Sequence, residues 1–170
     1  MNKNDKVWYA CYGSNLSAER FRHYIQGGEY EGKVYGACVN TDLWETSMVR
    51  RYPGRMYFGN RSHRWHDHGV AFYDPEGEGT VIMRLYLITW EQLMHVRDWE
   101  GASDRWYGNI VPLDEEDGVP VFTLTSLRRN PGNYPGNLYM CLIKRALVEE
   151  CGIPEDEAGK YLAECWEMSS

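Results

Sequence analysis

The chain has 170 residues, of which 43% are hydrophobic and 25% charged, with a formal net charge of −7. This globular composition excludes a disordered chain, a collagen and a long coiled coil, and the length predicts a single domain. The acidic balance argues against nucleic-acid binding, and no stretch reaches the ~18 apolar residues of a membrane span. We therefore expect neither nucleic acid nor membrane as a partner.

The first elements in chain order are a strand, a tight loop and a helix. Residues 7–11 form a short apolar run rich in strand formers, which stops at the loop Tyr12-Gly13-Ser14-Asn15. Residues 17–25 have helical spacing of apolar side chains, with Ser17 placed to cap the helix and Gly27 to end it. The loop is therefore predicted to join the end of a strand to the start of a helix.

The middle and C-terminal parts alternate between the two periodicities. Strands are predicted at residues 32–39, 55–58, 69–73, 80–88, 106–113 and 119–126, with a surface excursion at 40–53. Helices are predicted from a capping box at Thr89 and Gln92 to near Glu100, and at residues 138–151 and 154–166. The sum is an α+β domain, residues 1–170, with a core at about 7–154 and a helical extension at 155–170.

The cysteines suggest the compartment. The five are scattered without a CxxC pair, and residues 1–6 are polar without the apolar core of a signal peptide. Reduced thiols in a cytoplasmic protein are therefore expected.

Two places have the residue types that catalysis needs. Backbone N–H groups at a strand-to-helix loop such as residues 12–15 suit a carboxylate or a developing oxyanion, although an ordinary tight turn has the same pattern. Glu100 ends a predicted helix beside Trp99, where partial removal from water raises a carboxyl pKa toward the range of a general acid–base. The alternative for Glu100 is a solvated acid at a helix end.

The histidines offer a rival site. His63, His66 and His68 form a cluster, and on a strand His66 and His68 face the same side, a spacing that zinc sites use. A further ligand would come from His23, His95 or Asp67. The alternative is a polar loop leading into a strand, without a metal.

Read together, the loop and the glutamate resemble a known family. The run Tyr12-Gly13-Ser14-Asn15-Leu16 resembles the signature of the γ-glutamylcyclotransferase-like superfamily, and Asp98-Trp99-Glu100-Gly101 resembles the segment that has its catalytic glutamate. Tyr107 follows Glu100 by seven residues, as in the family. A further family tyrosine matches Tyr139 best, with Tyr134 as the alternative. The resemblance covers about residues 7–154.

The resemblance extends to a bacterial branch of the superfamily. The residues that show this resemblance are the run 9–16, Arg20-Phe21, Gly27-Gly28 and the segment 52–65, which is similar to one in that branch. The chain departs from the family at His68-Gly69, where two glycines are usual, and at Met83-Arg84, where glycine is common. The first departure bears on substrate preference.

The resemblance implies a small, mostly antiparallel β-barrel of about six strands flanked by helices. It also implies that the α-amine of a γ-glutamyl amide attacks its own γ-carbonyl and expels an amine, leaving 5-oxoproline. Glu100 would then move the protons, the amides of Gly13, Ser14 and Asn15 would hold the carboxylate or oxyanion, and three hydroxyls would orient the substrate. Those hydroxyls belong to Tyr12, Tyr107 and Tyr139. No metal and no organic cofactor is implied, and a monomer or homodimer is expected.

Two other functions are compatible with the sequence. The same fold serves as a non-catalytic module that binds a small amino-acid-like ligand, and the His66 and His68 segment would serve a metal hydrolase. A metal analysis distinguishes the metal hydrolase from a cyclotransferase. A screen of γ-glutamyl compounds for 5-oxoproline distinguishes the non-catalytic module from a cyclotransferase.

Overall fold

The chain folds into an α+β structure, and the computed structural model describes residues 1–167 and 169. Residues 168 and 170, which the predicted domain includes, lie outside the described residues. The described part has the helices α1 (Ala18–Gln26), α2 (Trp90–Glu100), α3 (Asn137–Glu149) and α4 (Glu155–Glu167). Its strands are β1 (Lys6–Cys11), β2 (Gly28–Tyr30), β3 (Lys33–Tyr35), β4 (Ser47–Pro53), β5 (Arg55–Ser62), β6 (His68–Asp74), β7 (Thr80–Thr89), β8 (Asn109–Glu116) and β9 (Val119–Thr125). In this part of the chain, no helix has both the length and the apolar character to cross a membrane.

The main sheet has five strands in the order β4-β7-β1-β9-β8. It is mixed, because β1 runs antiparallel to β7 but parallel to β9. In β1, Ala10 pairs with Leu85 on one side and with Thr123 on the other. β1 is therefore the central strand of the sheet, and the loop of residues 12–15 follows its end.

The β5–β6 hairpin is a separate two-stranded sheet, and a side chain attaches it to β9. Thr125 Oγ1 accepts a hydrogen bond from Tyr73 N at 2.9 Å and donates one to Tyr73 O at 2.8 Å. One hydroxyl thus takes the place of a backbone ladder.

The expected barrel needs correction. Within residues 1–167 and 169 the strand pairings leave β4 and β8 as edges of the five-stranded sheet and do not close it. Strand patterns in a sequence show which segments are extended, but not which edges meet. The described residues form nine strands, more than the expected six or so, because several strands are short: β2 and β3 have three residues each.

The predicted surface excursion at residues 40–53 is wrong in its second half. Ser47–Pro53 forms β4, which pairs with β7 over its whole length. As an edge strand it buries little, and Arg50 and Arg51 point to solvent, so the apolar alternation that marks a strand is weak. The predicted strand at 32–39 is also shorter, since Gly32 at φ +79° turns the chain between β2 and β3.

The predicted caps of α1 and α2 are confirmed. Ser17 caps α1 by accepting a hydrogen bond from Arg20 N, and Gly27 ends it at φ +73°. Thr89 and Gln92 form both hydrogen bonds of a capping box at the start of α2. The last residue of α2 is Glu100, eleven positions after the Thr89 cap.

An aromatic cluster joins α1 to the main sheet. Phe21 is fully buried, and its ring stacks on Tyr86 at 4.4 Å between centroids. It also lies 5.3 Å from the ring of Tyr9 and 5.2 Å from that of Trp44. The start of α1 is therefore held against β1 and β7, directly beside the loop.

Candidate active site

The loop after β1 is shaped by a close approach to α3. Leu16 N donates to Gly13 O at 3.1 Å and closes a single 3-10 turn, Ser14–Leu16. A Cβ on Gly13 would lie 3.0 Å from the Tyr139 hydroxyl and 3.2 Å from Ala71 Cβ. Glycine at this position therefore lets the loop backbone reach the tyrosine.

Asn15 connects this loop to Glu100. Its Nδ2 donates to Glu100 Oε1 at 2.6 Å and to the Tyr9 hydroxyl at 3.1 Å. A carboxylate only accepts hydrogen bonds, so the amide nitrogen must face it. Asn15 Oδ1 is then a buried acceptor without a hydrogen-bond partner among the described residues.

All seven site residues predicted from the sequence lie around one cavity of about 30 Å³. On this measure a water molecule needs about 10–15 Å³, so the cavity admits a group of carboxylate size and not a whole glutamyl compound. The lining residues are Tyr9, Cys11, Tyr12, Gly13, Ser14, Asn15, Ala71, Glu100, Tyr107, Leu124 and Tyr139. We call this space the inner cavity.

The three predicted tyrosines differ in whether the hydroxyl proton is already donated to the protein. Tyr12 donates to Leu124 O at 2.8 Å and Tyr107 donates to Ala71 O at 2.7 Å. Tyr139 instead accepts from Ala71 N at 3.0 Å, which leaves its own O–H proton to donate. Burial raises the pKa of the Tyr139 hydroxyl, so it keeps that proton at neutral pH. Tyr139 is thus the tyrosine with a donor for a ligand.

The alternative tyrosine, Tyr134, lies elsewhere. Its side chain is 43% exposed, and its hydroxyl donates to Asn137 Oδ1 at 2.6 Å. It does not line the inner cavity. The geometry therefore favours Tyr139.

The loop amides provide donors at the cavity wall. Ser14 N–H interacts with the Tyr139 hydroxyl oxygen. Across the described residues, the amides of Gly13 and Asn15 donate to no protein acceptor. Two of the three predicted backbone N–H groups are thus without a protein acceptor, and that they hold an anion or an oxyanion stays a prediction.

Two residues at which the sequence departs from the pattern of the family it resembles lie outside the lining of the inner cavity. Arg84 Nη1 donates to Leu16 O at 3.0 Å and to Glu150 Oε1 at 2.7 Å, so it ties the 3-10 turn to the end of α3. His68 is exposed and does not line the inner cavity. A Cβ on Gly69 would lie 2.2 Å from Asn133 O, so glycine is required there by the neighbouring loop.

The predicted pairing of His66 with His68 on one strand face is wrong. β6 begins at His68, whereas His66 lies in a left-handed turn at φ +56°. The His63 ring lies 3.0 Å from Asp67 Oδ1 at the surface. In the described residues, no group of three His, Cys, Asp or Glu side chains is placed to hold a metal ion. The other proposed ligands, His23 and His95, contact Tyr30 and Gly36 O respectively.

Sequence reasoning missed Tyr9, Arg20 and Tyr24 as neighbours of Glu100. The Arg20 charge and the Tyr24 hydroxyl both act on the Glu100 carboxyl and lower its pKa. Arg20 and Tyr24 are four residues apart on the helix that follows the loop, so one helix face carries both. That spacing was the available signal. Tyr9 could have been found from its alternation with Cys11 on β1.

The electrostatics of Glu100 result from opposing effects. Its removal from water raises the carboxyl pKa above the ordinary value, while the charge of Arg20 and the Asn15 amide oppose the increase. The net direction is upward. Such a carboxyl is suited to exchange protons nearer neutral pH than a solvated one.

Glu100→Gln should stabilise the fold at neutral pH. Because the pKa of Glu100 is higher in the folded state than in the unfolded state, ionisation of this carboxyl lowers the free energy of unfolding. The cost is absent below the unfolded-state pKa, grows as pH rises toward the folded-state pKa and is complete above it. A neutral Gln avoids it, so the variant should have the higher Tm at pH 7 and no advantage at pH 4. Thermal unfolding across this range measures the difference. An equal difference at both pH values would contradict the assignment.

By sequence, the chain is similar to part of a longer plant protein. No family model matches the chain. The chain is 30% identical over 204 aligned positions to histone deacetylase 5 of Arabidopsis thaliana, with 92% of the chain aligned. It spans only 30% of that relative's length.

Solved structures match over nearly the whole chain. An uncharacterized human protein matches with a TM-score of 0.67 and 20% identity, and the match covers 94% of this chain and 88% of that chain. A γ-glutamyl cyclotransferase has a TM-score of 0.64, with 20% identity and the same coverage of 94% and 88%. YkqA of Bacillus subtilis has a TM-score of 0.63 and 20% identity, covering 94% of this chain and 54% of that one. The chain therefore has the fold of the γ-glutamyl cyclotransferases.

Proposed function

We propose that the chain is a γ-glutamyl-amine cyclotransferase-like enzyme that releases 5-oxoproline. The observation that supports this proposal is the 2.6 Å hydrogen bond from Asn15 to Glu100, because it joins a carboxylate to the loop of residues 12–15 in one cavity. A second support is the fold that the chain shares with a γ-glutamyl cyclotransferase.

Substrate binding uses the groups left without partners. The Gly13 and Asn15 amides hold a carboxylate or the developing oxyanion, and the Tyr139 hydroxyl adds a third donor. Asn15 Oδ1, a buried acceptor, receives a hydrogen bond from the substrate α-ammonium. The same side chain thus holds the ammonium and orients Glu100.

Glu100 moves the protons. It removes one from the α-ammonium, and the free amine attacks the γ-carbonyl carbon to form the ring C–N bond. As the γ-amide C–N bond breaks, Glu100 delivers a proton to the leaving nitrogen, and the second proton of the ring nitrogen passes to the released amine. The products are 5-oxoproline and a free amine, and this balance requires no oxidant or reductant.

A screen of γ-glutamyl amides tests the proposal. Each compound is incubated with the protein, and 5-oxoproline is quantified by mass spectrometry. At least one compound should be converted at a rate that depends on enzyme concentration. Binding without release, measured by calorimetry, would instead favour the non-catalytic module.

Two tyrosine variants should differ in effect. Tyr139→Phe removes the free donor, and loss of one such donor typically lowers kcat by about 10²–10³. Tyr107→Phe removes a hydroxyl that already donates to Ala71 O, so we expect a loss below about 10-fold. The measurement is kcat on the best compound from the screen, with circular dichroism to show that both variants fold. Equal losses would contradict the assignment of the donor.

A further inference from the structure

A second cavity of about 130 Å³ lies beside Glu100. It shares with the inner cavity the residues Ser14, Glu100, Tyr107 and Tyr139. A substrate whose reacting amide lies at Glu100 therefore has its glutamyl end toward the loop and its leaving amine in this larger space. We call it the outer cavity.

Three cations line the outer cavity. Arg20 comes from α1, Lys33 from β3 and Arg64 from the 3-10 turn after β5. None of them lies within 4.0 Å of a carboxylate in the described part of the chain. The acids whose charge reaches them are Glu100 and the exposed Glu31. The outer cavity thus has a surplus of positive charge.

Arg20 is the most costly of the three cations to leave unpaired. Its side chain is 2% exposed, and both Nε and Nη1 are buried without a hydrogen-bond partner in the described residues. Arg64 Nε is in the same condition. Buried charges are normally paired, so these donors are ready for an anion that enters from outside.

Aromatic rings hold the cations in place and leave their donors free. The contacts, measured to ring centroids, are Arg20 over Trp65 at 5.4 Å, Arg64 over Tyr35 at 5.4 Å, and Lys33 over Tyr35 at 5.0 Å and Trp99 at 5.4 Å. Stacking engages the face of a guanidinium, while its N–H groups point outward in the plane. The cations are therefore pre-oriented in the absence of a ligand.

The pKa shifts of two of the three cations agree with this geometry. Burial and the neighbouring cations lower the pKa of both Lys33 and Arg64, whereas for Arg20 the nearby tyrosines and Glu100 outweigh burial and raise the pKa. Such mutual repulsion is relieved by a bound anion.

We propose that the amine released by this enzyme carries an anionic group, a carboxylate or a phosphate, that binds to Arg20, Lys33 and Arg64. This inference rests on the proposed cyclotransferase function. One of the three positive charges is balanced by Glu100, so a leaving amine with two negative charges fits better than one with a single charge. A neutral leaving amine leaves the buried donors of Arg20 unpaired.

Four substrates test this preference. They are γ-glutamylethylamide, γ-glutamylglycine, γ-glutamylglutamate and γ-glutamyl-O-phosphoethanolamine, whose leaving amines are respectively neutral, singly acidic, doubly acidic and phosphorylated. We expect kcat/KM to rise by about 10-fold for each added negative charge. The last two compounds distinguish a carboxylate from a phosphate.

Variants at the two half-buried cations connect the preference to the cluster. Lys33→Met and Arg64→Met should each lower the ratio of kcat/KM for γ-glutamylglutamate over γ-glutamylethylamide by about 10- to 100-fold. Arg20→Met should lower this ratio further, but replacement of a buried side chain also costs stability, so the other two variants decide the test. Arg61→Met, an exposed cation three residues before Arg64, is the matched control and should leave the ratio unchanged.

The outcomes separate this inference from the proposed function. Equal kcat/KM for all four compounds, or ratios unaffected in both variants, overturns the inference while the cyclotransferase stands. If none of the four is converted, the inference as stated fails with the function. Titration with glutarate and inorganic phosphate then tests the anion site by itself. If the wild type binds either anion and both variants lose this binding, the anion site stands; if the wild type binds neither, the anion site is refuted.

Discussion

Glu100→Gln should fold normally, bind a γ-glutamyl compound and lose most turnover. Removal of a positioned acid–base group typically costs about 10²–10⁴ in rate, and we expect the upper end because Glu100 serves two proton transfers. Gln retains an oxygen that accepts from Asn15 Nδ2, so the 2.6 Å contact and the cavity wall are preserved. The measurement is kcat for 5-oxoproline release, with ligand affinity from calorimetry.

Asp98→Asn is the matched control for this experiment. Asp98 belongs to the same helix, is exposed and lines neither cavity, so the substitution also removes one carboxylate but should leave kcat within about two-fold. Wild-type turnover in Glu100→Gln would mean that the base lies elsewhere. An equal loss in both variants would indicate a general effect of charge.

The parts of the fold that could be predicted depend on local signals. The cap at Ser17 and the capping box at Thr89 involve residues three apart, and both formed as predicted. β4 was missed because an edge strand buries few side chains, and the open sheet was missed because pairing is decided between distant segments. Thr125, whose hydroxyl replaces a backbone ladder to Tyr73, has no signal in its own neighbourhood.

The candidate site shows the same division. The resemblance supplied seven of the eleven residues that line the inner cavity, but not the hydrogen bonds that each hydroxyl makes. Tyr107 and Tyr139 were assigned one role, yet one donates to Ala71 and the other accepts from it, 36 and 68 positions away. The spacing of Arg20 and Tyr24 places both on one face of α1, but the sequence does not show that Arg20 is buried without an acid beside it.

Phe21→Ala should cause a large loss of stability. The ring is fully buried, and truncation of such a residue to Ala typically costs about 3–5 kcal/mol because the transfer free energy is lost and a cavity remains. Urea unfolding measures the change in midpoint at constant slope. Phe21→Leu keeps most of the volume and should cost less than about 1.5 kcal/mol. A cost below about 1 kcal/mol for Phe21→Ala would show that the cluster repacks.

The same substitution should also lower the activity of the molecules that stay folded. Phe21 packs on Tyr9 and Tyr86, and both of these hold Asn15: Tyr9 accepts from its Nδ2 at 3.1 Å, and Tyr86 donates to its backbone oxygen at 2.8 Å. Release of the two rings therefore loosens the side chain that positions Glu100. We expect kcat to fall in Phe21→Ala, measured well below its Tm, and to fall less in Phe21→Leu. Unchanged kcat in the folded Ala variant would show that Asn15 keeps its place without this support.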